Sequence, residues 1–445
     1  MREMRDSGVE WIGKIPENWI KTSLLNMLKT KICDGPHETP ELTEDGIPFI
    51  SVDSLNDSKT VNLDSAKKCI SNELYEEYYK KAPLEEGDIL FSKAATIGKT
   101  AIVDNRKFMV WSPLAIIKVD ANKCDNTYLY YVLNCEDLIK YVSLLGGYNT
   151  QINVGMRTLE KAQIPVPPID EQKRIVEYLD SKCSKIDVIL SKQEAIIEKL
   201  KEYKLSVITE AVTKGLNPDV EMKDCGDLRI GYIPITWDKV KITRLLDYTN
   251  SYPIGDGDHG LIKTEDYKDE GVPYIRVQNL GWGTELNLDN VIYISEEDNE
   301  RIKNSELHPN DVLFCKTGAT IGKTGIVPKD LPRANTTSHV GKITIDDKYN
   351  ARFVFYYLSS EVGYEQFWDI ACMKSTRPEL SIEETKAINI CIPRDRKDQD
   401  EIVEYLDLII PEIDLRIRKA EAITEKISEY KKSLIYEVVT GKREV

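Results

Sequence analysis

Apolar positions follow two rhythms along this chain of 445 residues. Over most of its length, short β-branched and aromatic runs are punctuated by turn residues. Residues 47–52, 88–92 and 115–119 read as strands, as do 272–277, 311–315 and 342–345. Among them, residues 73–81 and 128–142 carry helical spacing. The mixture has no regular strand–helix–strand alternation, which predicts an α+β fold.

The second rhythm is longer. Residues 170–213 contain neither Pro nor Gly, and apolar side chains recur there at heptad spacing: Ile186, Ile189, Ile196, Leu200, Tyr203 and Val207, with Leu190 and Ile197 in support. A matching run carries Ile413, Ala420, Ile423, Ile427, Tyr430 and Leu434. Such seams with charged flanks predict a coiled coil, and each can serve as the partner of the other. The expected arrangement is antiparallel and intramolecular with pseudo-twofold symmetry, a rod of about 45 Å for ~30 residues per helix. The alternative is a pair of ordinary amphipathic helices, each packed on its own domain. Pro411 is expected at the start of the second long helix, where a missing N–H matters least. By correspondence, the first should be a short helix near 172–180 followed by a long one from about Ser184.

Both rhythms occur twice because the chain is an internal duplication. Met4-Arg5-Asp6 with Gly8, Ile12, Gly13, Ile15, Pro16 and Trp19 returns as Met222-Lys223-Asp224 with Gly226, Ile230, Gly231, Ile233, Pro234 and Trp237. Asp34-Gly35-Pro36-His37 answers to Asp256-Gly257-Asp258-His259, and Ala95-Thr96-Ile97-Gly98-Lys99-Thr100 recurs letter for letter from Ala319 to Thr324. The best-preserved block runs from Gln172 to Asp180 and again from Gln399 to Asp407. A period of roughly 220 residues is domain-sized, far beyond the 20–50 of solenoid repeats. The division expected is a first α+β domain over 1–168, a helical spacer over 169–215, a second such domain over 216–395 and a C-terminal helical spacer over 396–445.

Composition narrows the chemistry. With 41% hydrophobic and 30% charged residues the chain is an ordinary globular one. No stretch approaches the ~18 apolar residues of a membrane span, so a cytoplasmic protein without a membrane role is expected. The nine cysteines are scattered without a Cys-x-x-Cys pair, which favours reduced thiols over disulfides or zinc. His37, His259, His308 and His339 are too dispersed to suggest a metal site. The net charge of −15 is not the basic footprint usual for nucleic-acid binding. Either nucleic acid is not the target, or basic side chains are confined to particular loops and partners supply much of the phosphate contact.

Catalytic motifs are not found. Lys99-Thr100 and Lys323-Thr324 follow glycines, but the earlier glycine a phosphate loop requires is Lys93 in one copy and Thr317 in the other. The residues after them read as strand rather than helix. No dinucleotide fingerprint, methyltransferase tetrapeptide or nuclease cluster appears, so neither catalytic residues nor a cofactor are expected.

The duplicated Trp-Ile-Gly-x-Ile-Pro-x-x-Trp opening, intact from Trp11 to Trp19, resembles the specificity subunits of type I restriction–modification systems. So do Asp34 to Pro40, Gly318 to Gly322, Ile164 to Gln172 and the junction from Lys214 to Val220. Arg229, standing where the first copy has Trp11, departs from that pattern. The resemblance covers essentially the whole chain. It implies a non-catalytic subunit whose two target-recognition domains each read one half of a bipartite, asymmetric site on double-stranded DNA. It also implies that the helices form the spacer between the halves and dock two adenine methyltransferase subunits, with restriction subunits joining that core. Recognition units held at a fixed separation read half-sites at a spacing set by protein geometry. A two-headed scaffold that binds only proteins is the alternative the acidic charge allows.

Within that reading, polar side chains on loops between strands are the candidates to meet bases, with neighbouring cations on phosphate. In the first domain they are His37, Ser51, Lys93, Thr96 and Lys99; in the second, Arg276, Gln278, Asn279, Lys316, Thr320, Lys323, Lys374, Ser375 and Arg377. Gln278 and Asn279 have the paired groups that suit adenine, and Arg276 those that suit guanine. The identity of the Ala-Thr-Ile-Gly-Lys-Thr element in both copies equally fits a structural hairpin, because residues reading different sequences ought to differ. His37 and His259 fit a loop satisfying itself as well as a DNA contact. Trp19 and Trp237 read as core anchors.

Overall fold

A computed structural model describes residues 2–56, 58–66, 68–145, 153–331, 333–372 and 378–445. The chain divides into two compact units, Met1–Glu194 with Ala422–Val445, and Ala195–Glu421. Each holds one globular head together with part of each of two long helices, Ile169–Lys214 and Arg396–Val439.

The first head opens on a hairpin in which Met4–Asp6 pairs with Lys14–Pro16. Its main sheet has four antiparallel strands in the order Cys33–Asp34, Leu114–Ile117, Ile89–Ser92, Thr100–Ile102. A mixed sheet places Ile47–Ile50 antiparallel to Cys69–Ile70 and parallel to Met109–Val110. The central strands Ile89–Ser92 and Leu114–Ile117 are buried along their whole length, which is why they read as unbroken apolar runs rather than alternating ones. Ile20–Ser23 then pairs with Gln163–Val166, so the head begins and ends beside the start of its long helix at Ile169.

The second head repeats this plan. Its four-stranded sheet runs Ile254–Gly255, Val340–Ile343, Val312–Cys315, Thr324–Ile326. Val272–Ile275 lies between Ile292–Ile294 and Asn335–Thr336, and Trp237–Lys241 pairs with Asn389–Pro393 just before Arg396. The α+β expectation holds, with strand boundaries within a few residues of those read from sequence. The run 128–142 is not one helix but two, Asn126–Leu133 and Glu136–Leu145, parted where the Asn134 side chain donates to the Tyr130 carbonyl. Trp19 and Trp237 are buried anchors, and Arg229 is held by Asp227 and Asp369.

The long helices differ from expectation in three respects. Each is continuous, with no short helix before Ser184, and Pro411 lies inside its helix. The buried neighbours Ile410 and Ile413 hold that segment helical across the hydrogen bond the proline cannot make. Forty-six residues span about 69 Å, well beyond the 45 Å read from the heptads. The seam is also only partly the one read, with Ile186, Ile197, Ile413, Ala420 and Leu434 buried as expected. Ile189, Ile196, Tyr203, Ile423 and Tyr430 are exposed, while Leu179, Cys183, Ile186, Ile197, Lys204, Ala211 and, on the other helix, Leu406, Ile410, Ile413, Ile417, Ala420 and Leu434 are buried.

In the first unit the end of the second helix runs against the start of the first. The Tyr128 hydroxyl donates to the carbonyls of Pro165 and Val439, at 2.8 and 3.2 Å, while Lys431 reaches back to Asp187 at 2.5 Å. In the second unit Lys214 and Gly215 line a cleft with Glu401 and Ile402, and Lys204 meets Asp414 at 2.8 Å. In both units residue numbers rise along one helix as they fall along the other, so the pairing is antiparallel as expected. The two readings of the helices are each partly right, because the same helices also complete the core of the head beside them.

Two side chains of the duplicated block, Gln and Asp, attach each head to its helix. Buried Gln172 accepts from the Asp125 N–H at 2.7 Å and donates to the Pro167 carbonyl at 2.9 Å; Gln399 does the same with Asn350 and Pro393 at 2.8 and 2.9 Å. Asp125 and Asn350 in turn cap the helices Asn126–Leu133 and Ala351–Ser359. Two turns further on, Asp180 accepts from the Tyr131 hydroxyl at 2.5 Å and from Lys59 at 2.9 Å. Asp407 accepts from Tyr356 at 2.7 Å and from Arg352 at 2.7 and 3.0 Å. Burial and the adjoining carboxylate push both phenols far above the usual tyrosine range, so both remain donors.

Candidate nucleic-acid interface

The hairpin tips and the loops before the main sheet are the polar edge of each head. Ser92 organises the first tip: its hydroxyl donates to the Thr96 carbonyl at 2.5 Å and accepts from the Lys99 N–H at 2.8 Å. Gly98 adopts φ +90°, and a Cβ there would sit 2.5 Å from Ile139; Gly322 adopts φ +88°, with Tyr364 at 2.6 Å. The glycine shared by the two copies of this element thus has a backbone cause. Thr96 is exposed on the tip, Lys99 and Lys323 are half-buried, and Thr320 is half-buried beside the Cys315 thiol.

The Asp-Gly element crosses directly beneath the following loop. A Cβ on Gly35 would lie 2.0 Å from the Val110 carbonyl oxygen, and one on Gly257 would lie 2.1 Å from that of Thr337. Its aspartate then takes the lysine of the hairpin strand. Lys93 is buried against Asp34, and Lys316 is buried with Asp256 at 2.8 Å and Glu379 at 3.5 Å. The charge of both lysines, read from sequence as available to phosphate, is neutralised inside the head. His37 is exposed, yet its Nδ1 meets Ser112 at 2.8 Å and its Nε2 lies 3.5 Å from Asp34. His259, at φ +50°, lies 3.0 Å from Asp256.

A short turn after the strand Val272–Ile275 holds three further candidates. Asn279 is buried, accepting from the Arg276 N–H at 2.9 Å and donating to the Asn287 carbonyl at 2.8 Å, so it shapes the loop. Arg276 is half-buried and donates to the Asn290 carbonyl at 3.1 Å. Gln278 is exposed. In the first head Ser51 is half-buried at the corresponding turn. Lys374, Ser375 and Arg377 lie outside the described residues.

Matching the two heads exposes candidates that sequence reading missed. Asp53 occupies the place of Gln278 and is likewise exposed. The loop after Leu28 presents Lys29 and Lys31, whereas the loop after Leu246 presents Tyr248 and Tyr252. These exposed side chains differ between the two heads; comparing copies for differences rather than identities would have found them. The second head also carries an aromatic face, in which Tyr364 packs edge-on to Trp282 and stacks on Trp368 beside a cavity of about 610 Å³.

Comparison with known proteins agrees with the duplication. The sequence profile described as type I restriction modification DNA specificity domain matches twice, at residues 16–203 and 234–425. The type I restriction enzyme EcoBI specificity subunit of Escherichia coli is 24% identical, over 96% of this chain and 88% of its own length. A putative type I restriction enzyme MjaX specificity subunit of Methanocaldococcus jannaschii is 26% identical over 97% and 95%. A solved structure from work on complex assembly and conformational transition of the type I R-M system shares the fold, with a TM-score of 0.66 at 14% identity over 96% of this chain and 98% of that one. With both copies matched over most of their length, this chain belongs to the type I restriction–modification DNA specificity family.

Proposed function

We propose that this chain is the DNA sequence-specificity subunit of a type I restriction–modification complex, a non-catalytic protein of the cytoplasm. Each head reads one half of a bipartite, asymmetric site, and the long helices set the gap. The observation that carries this reading is the duplication itself: two heads with one strand order present different side chains at their exposed edges, Asp53 against Gln278 at one matched position, and Lys29 and Lys31 where the second head has Asp247 and Thr249 in a loop that also exposes Tyr248 and Tyr252. A shared scaffold with unlike edges suits two unlike half-sites. Thr96, Gln278 and His37 are the exposed candidates for DNA contact, and Ser51, Lys99, Arg276, Thr320 and Lys323 are half-buried beside them.

Two methyltransferase subunits and, through them, restriction subunits are the partners. Support comes from the exposed apolar side chains on the helices, Ile196 and Tyr203 in one unit and Ile423 and Tyr430 in the other, and from the aromatic face of the second head. A net charge of −15 gives the chain no overall basic field to attract phosphate, so the partners supply much of the electrostatic attraction. A labelled-duplex binding assay with and without methyltransferase tests this. Tight, salt-sensitive, sequence-selective binding is expected only with the partner; equally tight binding by the isolated chain contradicts it.

A further inference from the structure

The attachment of each head to its helix is made of two kinds of contact. Most of it is apolar packing, Leu129 and Tyr128 with Ile175 and Leu179 in one unit, Phe353 with Ile402 and Leu406 in the other. Such packing is non-directional and tolerates a small rotation. Hydrogen bonds do not, because they weaken steeply with angle and distance. The directional contacts of each head with the helix that follows it fall at two levels, one at the base around the glutamine, where Arg2–Glu171 and Asn350–Asp400 add to it, and one at the aspartate eight residues on, about 12 Å along the axis. The other long helix adds Tyr128–Val439 and Lys432–Glu136 in the first unit and Glu361–Thr209 in the second. One point of attachment leaves a pivot; a second removes it.

The second point is the same in both heads by different means. Tyrosine donor and aspartate acceptor are retained, but the cation is Lys59 from a loop of the first head and Arg352 from the helix Ala351–Ser359 of the second. In the second head Arg352 also reaches Glu285 at 3.5 Å, tying in the loop that corresponds to that of Lys59. The duplicated chain therefore keeps the geometry while changing the residues that support it.

We propose that Asp180 and Asp407 are positioning residues that fix the angle of each head on its helix, and that this angle determines which half-site spacing the protein accepts. The inference rests on the DNA-reading function proposed above. A domain of this size spans roughly 40 Å. A swing of about 5° then moves its far edge by about 3.4 Å, the rise of one base pair. Loosening the clamp should cost discrimination between spacings more than it costs affinity for either half.

The test uses the chain assembled with its methyltransferase subunits, as wild type, Asp407→Ala and Asp407→Asn. Methyl transfer is measured on duplexes carrying the two half-sites, identified from wild-type methylation, at the natural gap and at one base pair more or less. Asp407→Ala is expected to lower the preference for the natural gap by about tenfold, whereas Asp407→Asn, which keeps an acceptor for Tyr356, should stay within about threefold of wild type. Equal loss at every spacing, with the preference intact, would overturn the inference. Should Asp407→Ala fail to fold, Tyr356→Phe carries the same readout with one oxygen removed. If the wild-type assembly itself recognises no bipartite site, the underlying function fails; if it does and the variants keep its spacing preference, only the positioning role fails.

Discussion

Gly98 and Gly322 show how a single residue constrains these heads. Both combine a left-handed backbone with a neighbour where a side chain would be, so Gly322→Ala should destabilise by about 2 kcal/mol or more. Calorimetry would register this as a loss of several degrees in Tm; an unchanged Tm would mean the hairpin tip can rearrange freely. Lys316 is the second case. As a buried member of an ion pair, Lys316→Ala should cost about 3 kcal/mol of stability by stranding Asp256, while the salt dependence of DNA binding by the assembled complex stays as in wild type. A variant with full stability and a shallower salt slope would restore Lys316 to the phosphate-binding role. The sequence could not decide this, because Asp256 lies sixty residues away and nothing local marks it as the partner. The turn-forming Asp-Gly and the hairpin glycine were readable as turns, with a DNA contact left open; the accessibility of a lysine was not readable.

At the scale of elements, the helices carry two apolar stripes that both satisfy a heptad, and only packing selects between them. Ile189, Ile196 and Tyr203 repeat every seven residues as faithfully as the buried set. The existence, pairing and direction of the helices were therefore legible, as was the Ile413, Ala420 and Leu434 phase of the second helix, whereas the phase of the first was read only in part. Inside the true seam sits a charge. Burial drives the Lys204 ammonium below the usual lysine value of 10.5, and the bond to Asp414 only partly offsets it. The unfolded chain then holds this proton to higher pH than the folded one, so the contribution of Lys204 to stability rises with pH through its depressed value up to about 10.5. Thermal unfolding of wild type and Lys204→Met across that alkaline window should converge or diverge accordingly: wild type gains relative to the variant as pH rises. A constant difference would show that Lys204 titrates normally. Removing Lys204 alone should cost about 3 kcal/mol, and replacing Asp414 by leucine as well should recover most of it.

For the whole molecule, the duplication was the most informative feature of the sequence, and the structure gives it physical content. Both heads are entered and left beside the base of a long helix, both are fastened by the same glutamine and aspartate, and both differ at exposed edges. The proposed reading of two words at a set distance draws on those three properties together. The most direct test maps methylated adenines in DNA from cells carrying the methyltransferase with and without this chain. The account predicts methylation that depends on the chain and falls in a motif of two dissimilar halves separated by a fixed run of unread base pairs. A single uninterrupted motif, or a pattern unchanged when the chain is deleted, would contradict it.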